Sequence, residues 1–344
     1  MCTRYLAQCV NEVISAVKAQ ILSVGHALPE RRLTNQDLER MVDTSDEWIV
    51  ERSGIRERRI ADQHIKCSDL AYQASVMALE RAGLSAQQLD LILVATATPD
   101  MFFPSTACIV QELLGATNAA AFDLAAGCTG FIYALDVAQK YLLAGDYQYI
   151  LVIGSEILSR IVDYQDRNTC VLFGDGAGAA IVGKGSSEYG ILSSILGADG
   201  SGGKHLCLPA GGSAMPASHE TVQNRLHYLK MNGPEVFRFA TRITSEISTR
   251  VLQKAGFTYN DVDLFIPHQA NMRIIKTAMK RMNIPAEKTL INLDMYGNTS
   301  AACIPIGLSQ AQEEGRLKPK DLVLMVAFGA GLTFGGVLLR WGRD

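Results

Sequence analysis

The residues best placed to do chemistry are Cys128, His268 and Asn298. Cys128 stands in AAGCTGF (125–131), after a stretch that reads as a strand, AAAFDL, and before one that reads as a helix, FIYALDVAQKYL. A thiol at a helix start faces free N–H groups and a partial positive charge, which favours thiolate. Gly127 and Gly130 permit a tight turn and close approach of a substrate. His268 ends an apolar strand just after Pro267, and Asn298 lies in YGNTSAA. Each has an ordinary structural role open to it: packed thiol, hydrogen-bonded core histidine, helix cap. Taken together, they form a Cys-His-Asn set suited to acyl transfer through a covalent thioester.

The elements that must bring these residues together are visible as an internal repeat. ALERAGLSAQQLDLILVA (78–95) matches VLQKAGFTYNDVDLFIPH (251–268): a helix end, an Ala-Gly stop, a polar turn, Asp-Leu and an apolar strand. GCT at 127–129 is answered by GNT at 297–299, and FGDGAGAAIVG at 173–183 by FGAGLTFGGVL at 328–338. The three matches keep their order, which chance does not explain. Cys128 and Asn298 therefore hold equivalent places in two copies of one unit, and pseudo-twofold packing would bring their turns to one point. The chain divides into an extension (1–16), a half carrying the cysteine (17–190) and a half carrying His268 and Asn298 (191–344). Near-continuous apolar strands alternate with helices in both halves, so an α/β fold with sheets covered on both faces is expected.

Composition excludes several classes. The 344 residues carry a formal net charge of -3, with no basic excess to suggest nucleic acid. The eight cysteines show no CxxC pair, so neither a zinc site nor a redox motif is indicated. The seven besides Cys128 lack its setting and read as structural. No apolar run is long enough to span a bilayer and no signal peptide is evident, so the chain reads as cytoplasmic. Residues 1–16 fit a short amphipathic helix or an alternative start. The glycine-rich FGDGAG and FGAG lack a Walker or dinucleotide context and read as tight turns. The second could also present a backbone N–H, such as that of Ala330, to an oxyanion.

VDTSDEWIVERSGIRERR, CTGFIYAL, LFGDGAGAAIV, IPHQANMRII, YGNTSAACIP and AFGAGLTFG occur in this order between residue 42 and residue 335. On these stretches the chain resembles the β-ketoacyl-acyl-carrier-protein synthase III family of the thiolase superfamily. The resemblance implies a duplicated five-layer α-β-α-β-α thiolase fold. It makes Cys128 the acylated nucleophile, His268 and Asn298 its partners, and the Cys128 and Ala330 amides the oxyanion hole. It implies Trp48, Arg52 and Arg167 as coenzyme A contacts, and Phe103 as a residue crossing a homodimer interface to wall the acyl pocket. It places carrier-protein docking at Gln269, Ala270, Asn271, Met272 and Arg273. Arg273, Lys276, Lys280 and Arg281 would form a basic helix face for an acidic partner. Two positions depart from the usual pattern: Gly127, where many relatives have Ala, and Ala330, where many have Gly.

The implied reaction is a decarboxylating condensation of an acyl-CoA primer with malonyl-acyl-carrier protein. It starts fatty acid synthesis and needs no metal or redox cofactor. Primer length would depend on Phe103, the partner subunit and the loop 204–220. Two other readings remain at this level. One is a related condensing enzyme or acyltransferase of secondary metabolism, with a quinolone or polyketide starter. The other is a non-catalytic paralogue that binds acyl-CoA.

Overall fold

In the computed structural model, which describes residues 18–185 and 188–343, two sheets and three helical layers stack into a sandwich. The expected extension at 1–16 lies outside the described residues. The first half contains β1 (Lys18–Ala27), α1 (Asp46–Ser53), α2 (Cys67–Ala82), β2 (Leu91–Ala95) and α3 (Thr106–Leu114). It continues with β3 (Ala120–Leu124), α4 (Gly130–Ala144), β4 (Tyr149–Glu156) and β5 (Gly176–Gly185). The second contains β6 (Gly190–Ala198), α5 (Gly233–Lys254), β7 (Leu264–Pro267), α6 (Met272–Met282), α7 (Cys303–Glu313), β8 (Leu322–Gly329) and β9 (Thr333–Arg340).

The repeat read from the sequence is a repeat of topology. The first sheet runs β1-β5-β4-β2-β3 and the second β6-β9-β8-β7. The place of a fifth strand in the second sheet is held by one parallel bridge, Phe265 to Thr289. Both Ala-Gly stops end a helix with the glycine in the left-handed region, Gly83 at φ 68° and Gly256 at φ 77°.

Strand alternation explains why the sheets read as continuous apolar runs. On β4, Ile150 and Val152 face α4 and α7, which lie between the sheets with Phe131, Leu135, Ile304 and Leu308. Leu151 and Ile153 face α2 and α3 on the outside, against Leu70, Ala74 and Val110. Across the second sheet, Phe265, Leu324 and Leu338 pack under α5 and α6, against Ile247, Val251 and Ala278. The layers are thus α2/α3, sheet, α4/α7, sheet, α5/α6, the expected α-β-α-β-α order. Each fully buried Leu or Ile contributes roughly 1.5–3 kcal/mol, so the two inter-sheet helices fix the halves to one another.

Candidate active site

The site forms where the two central helices begin. Cys128 does not start a helix directly. It sits in a short 3-10 turn, Gly127–Thr129, and α4 follows from Gly130. Gly127 holds φ at +51°, and a Cβ there would lie 3.0 Å from the Ala330 nitrogen. Opposite it, a Cβ on Gly329 would lie 2.6 Å from the Cys128 nitrogen. The turn before α4 and the turn after β8 are therefore pressed backbone to backbone. The Thr333 hydroxyl ties them, lying 2.9 Å from the Ala126 carbonyl, 3.0 Å from the Ala330 carbonyl and 2.9 Å from the Thr129 hydroxyl. This packs the backbones of Cys128 and Ala330 close to one another.

Asn298 enters from the second half. Its backbone pairs with Leu172 and Gly174, Asn298 N donating to Leu172 O at 2.8 Å. Its Oδ1 accepts from Ser300 N at 2.9 Å, and Ser300 holds a positive φ of 49°. This is a turn contact to the residue two ahead and not the expected helix cap, since Thr299 holds the cap position; it uses only the oxygen, and Nδ2 is left for the cavity that Asn298 lines. His268 follows β7, with its N–H on Val326 O at 2.8 Å and its ring edge-on to Phe328 at 5.2 Å. Its Nδ1 lies 2.9 Å from the Cys303 sulfur.

Cys128, His268 and Asn298 line one cavity of about 130 Å³. Leu172, Phe173, Leu206, Met231, Val236, Phe237 and Phe328 form most of its apolar wall. The cavity shares Leu172, Met231, Gly233, Phe237 and Asn271 with an open cleft of about 730 Å³. Trp48, Arg52, Asn168 and Arg273 line that cleft, which adjoins the cavity holding the thiol. Arg52 and Arg167 both lie over the Trp48 ring, 5.5 Å and 5.2 Å from its centroid. Arg167 also donates to the Asp43 carbonyl at 2.8 Å.

Burial dominates the electrostatics. The Cys128 thiol is pushed up to about 12 by desolvation, reinforced by the charge of Glu156 and opposed by Ser300. This is opposite to the thiolate expected of a helix start: Cys128 lies in a 3-10 turn, and the enclosing walls favour the neutral thiol. Desolvation likewise lowers His268 to about 3, so its imidazole is neutral.

Several expectations are corrected. Gln269 cannot meet a carrier protein. It is fully buried, and its amide is spent on the Pro267 carbonyl at 2.8 Å, the Leu290 carbonyl at 3.1 Å and Asn292 N at 3.1 Å. Ala270, Asn271 and Met272 are half-buried and Arg273 is exposed. Asn271 caps α6 and donates to the Arg52 carbonyl at 2.9 Å, which leaves Arg273 as the outward group of the segment. Arg281 on the same helix is tied to the Thr241 carbonyl. Phe103, expected to reach across to a second copy, is 84% exposed and lies outside the cavity of its own chain, which leaves that expectation as it stands. Cys108 is exposed rather than packed, and Cys2 and Cys9 lie outside the described residues.

Sequence reasoning missed three supporting residues. Glu156 is fully buried at the end of β4, accepting from Thr98 Oγ1 at 2.6 Å and Ala97 N at 3.1 Å, and burial raises its pKa. A carboxylate closing an apolar strand was the available signal. Arg58, also fully buried, donates to the Leu33 and Val171 carbonyls and to Asn35, bracing the cavity wall. Cys303 carried no signal until the fold set it behind His268. Among the described residues no helix is long and apolar enough to cross a membrane.

The chain is similar to known proteins over nearly all of its length. Residues 122–200 match 3-oxoacyl-[acyl-carrier-protein (ACP)] synthase III, and residues 252–341 match its C-terminal part. The chain is 69% identical over 328 residues to the β-ketoacyl-[acyl-carrier-protein] synthase III of Syntrophomonas wolfei, covering 95% of this chain and 99% of that one. It resembles the crystal structure of 3-oxoacyl-[acyl-carrier-protein] synthase III from Aquifex aeolicus with a TM-score of 0.87 and 48% identity, over 94% of this chain and 100% of that one. The priming β-ketosynthase of a polyketide biosynthetic pathway matches with the same TM-score at 33% identity, over 95% of this chain and 97% of that one. A duplicated thiolase-type sandwich with Cys128, His268 and Asn298 at its seam, and relatives this similar over their whole length, place the chain in the 3-oxoacyl-[acyl-carrier-protein] synthase III family of condensing acyltransferases.

Proposed function

We propose that the chain condenses an acyl-CoA primer with malonyl-acyl-carrier protein, with loss of carbon dioxide, through an acyl-Cys128 intermediate. The observation that carries this is the convergence of Cys128, His268 and Asn298 on one cavity at the end of the cleft that starts at Trp48 and Arg52. Coenzyme A occupies the cleft, with its adenine against Trp48. Arg167 lies too near Trp48 for a base to enter between them, because stacking on both faces needs about 7 Å, twice a van der Waals contact. Arg167 therefore moves outward on binding, or stacks from the edge.

Cys128 attacks the thioester carbonyl, and its thiol proton ends on the departing coenzyme A sulfur. The Cys128 and Ala330 amides hold the oxyanion of the tetrahedral intermediate, which offsets the cost of ionising a buried thiol. Malonyl-carrier protein follows by the same cleft. Carbon–carbon cleavage releases carbon dioxide and leaves an enolate, whose oxygen receives hydrogen bonds from His268 Nε2 and Asn298 Nδ2. The enolate carbon attacks acyl-Cys128, and the departing thiolate takes a proton from solvent to restore the thiol. A neutral imidazole suits this role, since it donates without first requiring a counter-charge. The scheme takes up one proton from solvent per turnover and calls on neither metal nor redox cofactor.

Phe103 belongs to the pocket of a second copy. Met101, Phe102 and Phe103 stand in water together, beside the edge strand β3, and such a run is costly unless covered. The enzyme is thus read as a cytoplasmic homodimer with Arg273 at the carrier-protein entrance. Incubation with acetyl-CoA should add one acetyl group to Cys128 by intact mass. Subsequent malonyl-carrier protein should release it as β-ketoacyl-carrier protein. An acyl-Cys128 discharged only to oxygen or nitrogen nucleophiles would overturn the condensing assignment.

A further inference from the structure

A neutral imidazole carries its proton on one nitrogen only, and the partner of the other nitrogen decides which. His268 Nδ1 lies 2.9 Å from the sulfur of Cys303, the first residue of α7. Cys303 does not line the cavity, so this contact is made behind the ring and Nε2 is left to the cavity side. Two arrangements satisfy the distance: thiol donating to Nδ1, or Nδ1–H donating to sulfur.

The surroundings choose between them. Sulfur is a weak acceptor and an imidazole nitrogen a good one, so the S–H donating to Nδ1 makes the better bond at this distance. Complete burial, with Cys128 nearby, holds Cys303 firmly as a thiol, and burial keeps His268 neutral. Nε2 makes no hydrogen bond to protein among the described residues. We propose that Cys303 is a positioning residue whose S–H donates to His268 Nδ1 and fixes the tautomer that carries its proton on Nε2, facing the reacting atoms. The opposite tautomer would aim a lone pair at the enolate oxygen and oppose the charge that must be held there. The consequence for rate rests on the condensing-enzyme reading; the tautomer itself does not.

The test uses the full chain labelled with ¹⁵N-histidine, with His268→Gln to assign the signal. Wild type and Cys303→Ser should both show a pyridine-type Nδ1 and a protonated Nε2. Cys303→Ala should show a mixture, and condensation should slow about 5- to 10-fold, the worth of one buried neutral hydrogen bond. Acylation by acetyl-CoA should fall less than condensation, and serine should restore most of the rate. A protonated Nδ1 in wild type overturns the proposal, and so does a serine variant that folds yet is as slow as the alanine one. The wild-type spectrum decides the tautomer even if the alanine variant fails to fold. A wild type that forms no β-ketoacyl product would instead sink the functional reading and leave the spectrum to judge Cys303.

Discussion

Acidification should destabilise this protein through His268 by an amount the structure sets. In the unfolded chain a histidine titrates near 6.5. In the folded chain burial lowers His268 to about 3. Between these values the unfolded state binds a proton that the folded state refuses, so stability falls with pH in this window. From pH 7 to pH 5 the loss assigned to His268 is about 2 kcal/mol, most of it below pH 6.5. Other groups also titrate. Glu156, whose pKa burial raises, acts with the opposite sign, because its folded form keeps the proton more readily. A double difference removes them: urea unfolding of wild type and His268→Gln, each at pH 7 and pH 5, at one protomer concentration. The glutamine variant should lose about 2 kcal/mol less than wild type over the interval. Equal losses would mean that the folded protein protonates His268, and the neutral-donor role would fail with it.

Three further outcomes follow from the same geometry. Asn298→Asp keeps the oxygen that accepts from Ser300 N but removes the Nδ2 donor, so condensation should fall about 100-fold or more while acylation by acetyl-CoA falls much less; similar losses in both would remove Asn298 from the enolate step. Arg273→Glu should raise the KM for malonyl-carrier protein and spare acyl-CoA, with the effect shrinking in high salt; a salt-independent change would contradict electrostatic docking. Gly127→Ala forces a side chain into a left-handed turn against the Ala330 nitrogen and should cost about 1 kcal/mol in chemical denaturation; unchanged stability would show that the turn relaxes without it.

The sequence carried the architecture because the architecture is duplicated. The Ala-Gly stops, the Asp-Leu strands and the GCT/GNT pair each found their counterpart in space, since local rules of helix ending and strand burial act identically in both halves. What stayed hidden depended on enclosure. Cys128 looked activated by its turn, but the walls that desolvate it come from distant segments around Phe173, Met231 and Phe328. Gln269 sits in a stretch that reads as surface; only the positions of Pro267, Leu290 and Asn292 show that three backbone groups claim its amide. Arg58 and Cys303 act through partners far along the chain, so no local pattern marked them, and Glu156 showed only as a carboxylate closing an apolar strand.

The close contact between the Gly127 and Gly329 turns bears on how this molecule fails. One turn belongs to each half, and the reactive thiol and its hydrogen-bond donors stand on opposite sides of that seam. Slight parting of the halves would separate nucleophile from donors before either sheet melts. Parted in this way, the thiol would lose the Ala330, His268 and Asn298 groups that face it from the other half, and acyl transfer would stop. The duplication acts as an interlock, in which intact docking is the condition for chemistry.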